Sequence, residues 1–404
     1  MKSWRSSYIA ILIAQTLAIM GFGFSYPIIP LFLEEDIGIT DPVRLKTWVG
    51  IIYASAALTL AIFAPIWGHL SDIYGRKIMI LRAMFGGGVV IFLMSLVTSP
   101  WQLLILRTLQ GCLSGTIAAS TVLVASISPA AHIALTLGLL QTGIAVGNSL
   151  GPMLGGILSD FLGYRAAFAC SGVFISLSGF IVLIWGKDDF KPSEEKKAKK
   201  ISLFPDFRII SGSSLIIKMM IVTFAVQAAI TAAIPMIPLF LKELAAQAGE
   251  EILFIGSSTG LVVGVGAGSS ALAAVLVGKF SSRIGFHKSL LFCLILGAVL
   301  SVPQVFAANI IQLTVFRALS MFFIGGTLPL INAVIAVSSD KQKLGTIYGV
   351  NSSVAAAGFG LGPMIGSFTA MLDLRAIFWI SAIILGISAY IVRSNTDSSE
   401  KNST

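Results

Sequence analysis

The chain repeats a hydrophobic unit of about 200 residues, and this duplication restricts its fold more than any other feature. Four landmarks recur at one nearly constant offset of about 210 residues. They are Tyr26–Leu33 with Ile234–Leu241, Gly68–Lys77 with Gly278–Lys288, Leu106–Arg107 with Phe316–Arg317, and Gly151–Met153 with Gly362–Met364. The sequence therefore predicts two related halves of similar internal structure.

Both halves are too apolar for an ordinary soluble domain. Hydrophobic residues make up 56% of the chain, charged residues 11%, and the mean hydropathy is +0.93. Apolar runs long enough to cross about 30 Å of hydrocarbon as helices recur throughout the sequence. The predicted spans are 7–33, 47–69, 78–98, 101–126, 133–159, 163–186, 214–241, 254–278, 289–308, 310–336, 343–371 and 375–393. We predict an all-α membrane protein of twelve helices in two pseudo-symmetric six-helix bundles.

The distribution of basic residues predicts the topology. With the N-terminus in the cytoplasm, most of the 27 Lys and Arg residues fall on the cytoplasmic side. The predicted outer side receives only Arg44, Lys46, Arg165, Lys242 and Arg375. We therefore expect a multi-pass cell-membrane protein with both termini cytoplasmic. Its net charge of +9 reflects this topology and does not indicate nucleic-acid binding.

The same reading divides the chain into four parts. They are an N-terminal bundle (1–186), a polar cytoplasmic linker (187–213), a C-terminal bundle (214–393) and a polar, disordered tail (394–404). Cys112, Cys170 and Cys293 all lie within spans and are interpreted as packing residues, not as disulfides or metal ligands. No nucleotide-binding P-loop, metal-ligand cluster or nucleophile–base pair is apparent, so we predict neither an enzyme nor a cofactor.

A short glycine-rich loop joins the second and third spans. It runs Gly68-His69-Leu70-Ser71-Asp72-Ile73-Tyr74-Gly75-Arg76-Lys77, and Asp72 could pair with Arg76 or Arg82. This loop resembles the signature G-x-L-x-D-R-x-G-R-[KR] of the major facilitator superfamily. It departs from that signature at Ile73, where the family usually carries a basic residue. The resemblance implies a cytoplasmic latch involving Asp72 and Arg76, weaker than usual because Ile73 is uncharged.

Two further motifs resemble one branch of that superfamily, the twelve-helix drug/proton antiporters. Arg107 and Gln110 in the fourth span match its R-x-x-Q-G spacing, and the resemblance implies a role in proton coupling. An arginine in hydrocarbon is costly, so we expect Arg107 to face the bundle interior, although snorkelling to the outer interface is the alternative. The segment from Gly147 to Gly156, with Gly151 and Pro152, resembles the exporter motif G-x-x-x-G-P-x-x-G-G.

Glycine also recurs every fourth residue in two spans. The fifth carries Gly143, Gly147, Gly151 and Gly155, and the eighth carries Gly256, Gly260, Gly264 and Gly268. In the superfamily these two helices meet across the halves. We therefore expect the two glycine stripes to face each other and to allow the halves to rock.

Prolines near the outer ends of spans one and seven predict kinks at matching places in the two halves: Pro27 and Pro30, and Pro235 and Pro238. Bent helices at matching positions of two repeats point to the substrate path.

No carboxylate falls in the middle of any span. An organic cation would therefore meet no fixed counter-charge, and we expect neutral, zwitterionic or weakly acidic lipophilic substrates. Proton coupling could use Asp72, or Glu34, Glu35 and Asp36 at the outer mouth. The candidate substrate-binding residues are Gln15, Tyr26, Gln141, Gln227, Phe224 and Asn332, of which Gln141 and Gln227 are preferred.

The predicted function is secondary-active, proton-coupled efflux of lipophilic small molecules by alternating access, by a monomer in the lipid bilayer. One alternative is a metabolite importer or facilitator on the same fold, in which Arg107 and Arg317 bind an anionic group. A second, from another class, is a non-transporting membrane sensor or scaffold.

Overall fold

The computed structural model describes residues 3–188, 213–249, 253–339 and 344–401. Most of the predicted linker lies outside the described residues. The described part of the chain folds into twelve long helical elements, labelled α1 to α12. They are α1 (Ser3–Ser25, Ile29–Leu31 and a π-helical turn Phe32–Asp36), α2 (Pro42–Tyr74), α3 (Arg76–Met94), α4 (Pro100–Leu113 and Thr116–Ile127), α5 (Ile133–Leu162), α6 (Tyr164–Trp185), α7 (Ser214–Ala232, Ile234–Met236 and Ile237–Ala248), α8 (Ile255–Ile284), α9 (Phe286–Ser301 and Val302–Phe306), α10 (Ile310–Gly325 and Thr327–Ser338), α11 (Leu344–Leu372) and α12 (Ala376–Lys401).

Eleven of the twelve elements are long and apolar enough to cross a membrane, judged on the described residues. The remaining one is α5, a 30-residue helix that carries Gln141, Asn148 and Ser149 among its apolar residues. The predicted all-α fold with twelve helices is therefore confirmed. The predicted disordered tail is wrong for part of its length, because α12 continues as a helix to Lys401.

The predicted kinks occur where the prolines lie. In α1 the helix stops at Ser25, and Pro27 sits in the turn before the helix resumes at Ile29. In α7 the equivalent Pro235 lies in a 3₁₀ turn, Ile234–Met236. Proline lacks the amide hydrogen that a continuous helix needs, so the same break forms in both repeats.

Equivalent helices pack against each other in the two repeats. In the first repeat α1 packs against α5 and α6, and α3 packs against α4 and α6. In the second repeat α7 packs against α11 and α12, and α9 packs against α10 and α12. The starts of α4 and α10 are also built alike. Ser99 accepts a hydrogen bond from the Gln102 backbone, and Asn309 accepts one from Gln312. Each glutamine side chain in turn accepts a hydrogen bond from the backbone amide of the residue preceding the cap, so the same variant of the capping box forms in both repeats.

An aromatic and arginine cluster also recurs in both repeats. Phe32 packs edge-on against Phe168 with ring centroids 5.0 Å apart, and Phe240 packs against Phe378 at 5.3 Å. Above these rings Arg165 donates a hydrogen bond to the Ser95 carbonyl at 2.9 Å. The equivalent arginine, Arg375, donates to the Val305 carbonyl at 2.6 Å and lies over the Phe240 ring. Each aromatic pair contributes about 1 kcal/mol beyond its buried area.

The chain packs into two compact units that follow the repeats, with two exchanged segments. Unit 1 comprises Met1–Thr40, Leu58–Leu203 and Phe254–Gly264, and unit 2 comprises Asp41–Ala57, Phe204–Leu253 and Val265–Thr404. The first part of α2 therefore packs within unit 2, and the first part of α8 packs within unit 1.

Candidate functional site

The glycine stripe of α5 faces α1. A Cβ atom at Gly147 would lie 2.8 Å from the Thr16 carbonyl oxygen, and one at Gly151 would lie 2.7 Å from the Met20 carbonyl oxygen. The stripe thus lets α1 and α5 approach backbone to backbone. The expectation that this stripe faces the glycines of α8 is wrong, because its glycines are taken up by the contact with α1 of their own repeat.

A different face of α5 meets the start of α8. Ser149 donates a hydrogen bond to the Gly264 carbonyl at 2.8 Å. A Cβ atom at Gly260 would meet the backbone of Pro152, and one at Gly264 would lie 2.5 Å from the Met153 side chain. On this face α8 supplies its glycine stripe, and α5 supplies Ser149, Pro152, Met153 and Gly156.

The second repeat packs its fifth helix in the same way. Gly358, Gly362 and Gly366 of α11 lie directly against the backbone of α7, at Phe224, Ala228 and Ala232. The proposed gating residues Gly151 and Pro152 both pack against α1 of their own repeat. Pro152 faces Gly23 of α1 with its ring and Gly260 of α8 with its backbone, so it contacts both helices.

Arg107 lies inside the first repeat, where only 4% of its surface is exposed. Its guanidinium donates a hydrogen bond to the Gln110 side chain at 3.0 Å, so the two residues of the R-x-x-Q motif contact each other directly. Tyr26, half-buried, is close enough to interact electrostatically with Arg107. These positions agree with an arginine that faces the bundle and not the lipid.

Gln15 forms a fully buried hydrogen-bond network with α4. Its amide nitrogen donates to the Thr116 hydroxyl at 3.2 Å, and its carbonyl oxygen accepts from the Ser120 hydroxyl at 2.7 Å. With 0% exposure, Gln15 fastens α1 to the second segment of α4. In this arrangement its polar atoms serve the packing of the repeat, so ligand contact requires the network to open.

The second repeat holds its arginine differently. Arg317 is as buried as Arg107, but its guanidinium donates to a backbone oxygen, that of Ile230, at 3.4 Å. Its aliphatic part lies against Gly266, where a Cβ atom would be 3.3 Å from the Arg317 Cγ. Among the described contacts, Arg317 thus has no glutamine partner, and its hydrogen bond links α10 to α7.

The other candidate substrate residues are scattered. Asn332 is exposed and accepts a hydrogen bond from the buried Asn351 amide at 3.1 Å. Gln227 and Phe224 are half-buried on α7 beside Gly358 of α11. Gln141 on α5 is exposed. The structure brings Gln227 and Phe224 to one place, and it brings Tyr26 to Arg107.

In the predicted cytoplasmic loop, the Asp72 side chain lies outside the described residues, so its pairing with Arg76 or Arg82 stays a prediction. Another carboxylate occupies the start of α3. Asp188 accepts hydrogen bonds from the backbone amides of Arg76 and Lys77 at 2.8 and 3.0 Å. Sequence reasoning placed Asp188 in the linker and missed this cap, although an acid directly after a helix and close to a basic loop is a usable signal.

Sequence reasoning also missed a break inside α4 and the residues that hold it. Gly115 adopts φ +119°, which stops the helix between Leu113 and Thr116. Arg82 donates to the Ser114 carbonyl at 3.2 Å, and its guanidinium lies 3.6 Å from the Trp67 ring centroid. The Trp67 indole donates to the Cys112 carbonyl at 2.6 Å. Two carbonyls freed by the break are thus satisfied by side chains.

Two of the acidic residues predicted for the outer side, Glu35 and Asp36, interact with the start of α6. Glu35 accepts a hydrogen bond from the Tyr164 hydroxyl at 2.9 Å, and Asp36 lies 3.7 Å from Arg165. Among the described residues, no group of three His, Cys, Asp or Glu side chains could hold a metal ion.

Comparison with known proteins identifies the family. The Major Facilitator Superfamily model matches residues 11–266 and 219–404. The chain is 32% identical over 386 residues to "Multidrug resistance protein MdtG" of Escherichia fergusonii, covering 95% of this chain and 92% of that protein. The protein of the same name from Escherichia coli strain K12 is 31% identical over 388 residues, covering 96% and 93%.

Solved structures agree at the level of the fold. The nucleoside transporter NupG superimposes with a TM-score of 0.75 at 13% identity, covering 96% of this chain and 97% of that one. A bacterial homolog of the human lysosomal transporter Spinster gives a TM-score of 0.78 at 13% identity and covers 98% of both chains. With its duplicated helices, its loop signature and these matches, the chain belongs to the major facilitator superfamily.

Proposed function

We propose that this chain exports lipophilic small molecules by alternating access, driven by a proton gradient. The observation that carries the proposal is its identity of about one third, over 95% of its length, to proteins named for multidrug resistance. Membership of a transporter superfamily supports transport itself, and the named relatives support efflux and a broad substrate class.

The distribution of charge narrows the expected substrates. No acidic residue falls within the middle of a predicted span, so a permanent organic cation would lose its hydration without gaining a counter-charge. A neutral or weakly acidic lipophilic molecule does not incur that cost. Aromatic and methionine side chains such as Phe224, Met321 and Phe322 offer an adaptable apolar surface.

Arg107 is the proposed coupling residue. Its side chain is buried and interacts with Gln110 on α4 and Tyr26 on α1. A proton that binds or leaves nearby would therefore change the electrostatic energy of both helices. Coupling through Asp72 or through the outer acids Glu34, Glu35 and Asp36 remains part of the proposal.

Transport in proteoliposomes under an imposed pH gradient tests the proposal. A neutral and a cationic lipophilic dye are measured in parallel, and we expect gradient-driven transport of the neutral dye only. Arg107→Ala should abolish gradient-driven transport while downhill exchange continues. Arg317→Ala is the matched control, because that arginine lies at the equivalent position without a glutamine partner.

Two outcomes contradict this scheme. Efficient pumping by Arg107→Ala would remove the assigned coupling role. Uptake of an anionic metabolite that depends on both Arg107 and Arg317 would instead support an importer or facilitator, the alternative that two buried, equivalent arginines favour.

A further inference from the structure

We propose that Asp160 and Lys46 form a pair of outer latches that close the transporter on its predicted outer side and are released in every transport cycle. The inference rests on the proposed alternating-access transport. Each residue belongs to a helix of the first repeat, and each binds the backbone end of a helix from the second repeat.

Asp160 caps α8 from outside that helix. Its carboxylate accepts hydrogen bonds from the backbone amides of Gly256 at 2.8 Å and Ser257 at 2.7 Å, and from the Ser257 hydroxyl. The residue just before α8 is Phe254, which has no side-chain acceptor for these amides. The cap that a helix start usually takes from its own sequence is therefore supplied by α5.

A close helix approach makes this cap possible. Gly156 lies one turn before Asp160 on α5, and its backbone touches the backbone of Gly256. Any side chain at either glycine would hold the helices apart. The negatively charged carboxylate also lies at the positive end of the α8 dipole, and this strengthens the contact.

Lys46 makes the complementary contact with α11. Its ammonium group donates to the Ala370 carbonyl at 2.6 Å, and Ala370 lies in the last turn of α11, where carbonyls lack partners within the helix. Glu243 and Asp373 add favourable electrostatic interactions. Here a positive charge meets the negative end of a helix dipole.

The Asp160 and Lys46 contacts have the same arrangement of a glycine and a charged residue, but the charges are opposite. On α2, Gly50 lies one turn from Lys46, and a Cβ atom at Gly50 would be 2.9 Å from the Ser367 Cβ of α11. On both α2 and α5, then, a glycine allows the closest approach and a charged residue one turn away caps the partner helix. A state open to the outside requires these helix ends to separate, which uncaps both.

Disulfide cross-linking measures closure without any substrate. In a background lacking Cys112, Cys170 and Cys293, one reporter is Phe161→Cys with Phe254→Cys, whose rings lie 5.6 Å apart between α5 and the start of α8. The second is Gly50→Cys with Ser367→Cys, whose Cβ positions would lie 2.9 Å apart and must separate slightly to form a disulfide. Because the cysteine itself widens this seam, its oxidation rate is compared only between variants that carry the same cysteine pair. The rate of oxidation by a mild oxidant reports how often each pair of ends is together.

We expect Asp160→Ala to slow both reporters about five- to tenfold, because loss of one latch shifts the equilibrium toward the open state for both seams. Lys46→Met should do the same, and Asp160→Asn, which keeps one acceptor, should have a smaller effect. The control is Asp41→Asn, since Asp41 caps the start of its own helix at Val43 and Arg44. If either reporter is unchanged, or only the local one slows, the pair is not a latch.

Transport kinetics complete the test. In Asp160→Ala we expect the KM for substrate presented on the cytoplasmic side to rise about threefold or more, with kcat changed less than about twofold, since fewer molecules are in the competent state. A variant that fails to fold is recognised by size-exclusion chromatography and replaced by Ser257→Ala. If no substrate is transported but the reporters respond, the latch stands and the proposed function fails.

Discussion

The fourth and tenth helices occupy equivalent places in the two repeats, yet they are interrupted in different ways. In α4 the chain breaks at Gly115, with φ +119°, and Arg82 and Trp67 bind the carbonyls that the break frees. In α10 the break is a single residue, Gly326, whose φ of −73° is close to helical.

The positions equivalent to Arg82 and Trp67 explain this difference. In the second repeat they are the apolar residues Phe292 and Val277, neither of which can bind a carbonyl. The arginine and aromatic clusters of the two repeats, in contrast, are alike. The two repeats therefore share the packing of the bundle ends and differ in the middle of this helix, where α4 has a polar break and α10 does not.

Among the variants that test this difference, Arg82→Ala should lower the free energy of unfolding most. Loss of a charge-assisted hydrogen bond to Ser114 and of the stacking on Trp67 should cost about 3 kcal/mol of unfolding free energy. Phe292→Ala, at the equivalent position and 58% exposed, should cost about 1 kcal/mol. Unfolding in mixed detergent micelles measures both values, and equal losses would refute the asymmetry.

Gly115→Ala should have the next largest effect, about 2 kcal/mol, because its backbone conformation disfavours any side chain. Space is not the obstacle there, since the nearest neighbouring atom is an Arg82 nitrogen 3.8 Å from the position of a Cβ. Trimming neighbours therefore should not restore stability. Full stability of Gly115→Ala in the same assay would show that α4 can close its break.

Gly326→Ala should also lower the stability of the protein, but through a steric clash and not through its backbone conformation. Its backbone is near-helical, but a Cβ there would lie 2.8 Å from a methyl group of Val277. Adding Val277→Ala should recover most of the loss of about 1 to 2 kcal/mol. A double variant no more stable than the single one would contradict this distinction between the two glycines.

Gln15→Leu should cost about 1.5 kcal/mol, because the buried hydroxyls of Thr116 and Ser120 lose their partner. The equivalent position in the second repeat is Thr223, whose hydroxyl donates to the Met219 carbonyl one turn earlier on its own helix. Thr223→Val serves as the control and should cost about 0.5 kcal/mol or less, because that carbonyl keeps its helical partner. Melting temperatures of the two purified variants in detergent provide the check.

Trp67→Phe should give the smallest change among the variants that affect the α4 break, about 1 kcal/mol, since an aromatic ring remains under Arg82 and only the hydrogen bond to Cys112 is lost. A loss as large as that of Arg82→Ala would instead mean that the indole nitrogen, and not the arginine, holds the break.

Much of the architecture was predictable from local patterns. Apolar runs, repeated prolines and the offset between landmarks predicted twelve helices, two related halves and kinks near Pro27 and Pro235. Arg107 could be placed inside the bundle because exposure to lipid is costly. Positions of the outer latches were not predicted, since Asp160 and Lys46 look like ordinary charged residues at helix ends.

The glycine stripe of α5 shows where a pattern misleads. Four glycines at helical spacing predict a close helix contact, but they do not say with which helix. The structure assigns that contact to α1, in the same repeat, while a neighbouring face of α5 meets α8.

The sequence by itself determined the helices, their number and their duplication, because burial in hydrocarbon requires long apolar segments with internal hydrogen bonds. Tertiary structure alone decided which face of each helix meets which neighbour and which side chain satisfies each freed backbone group. Those choices depend on partners far apart in the chain, as Asp160 is from Gly256, and no local spacing encodes them.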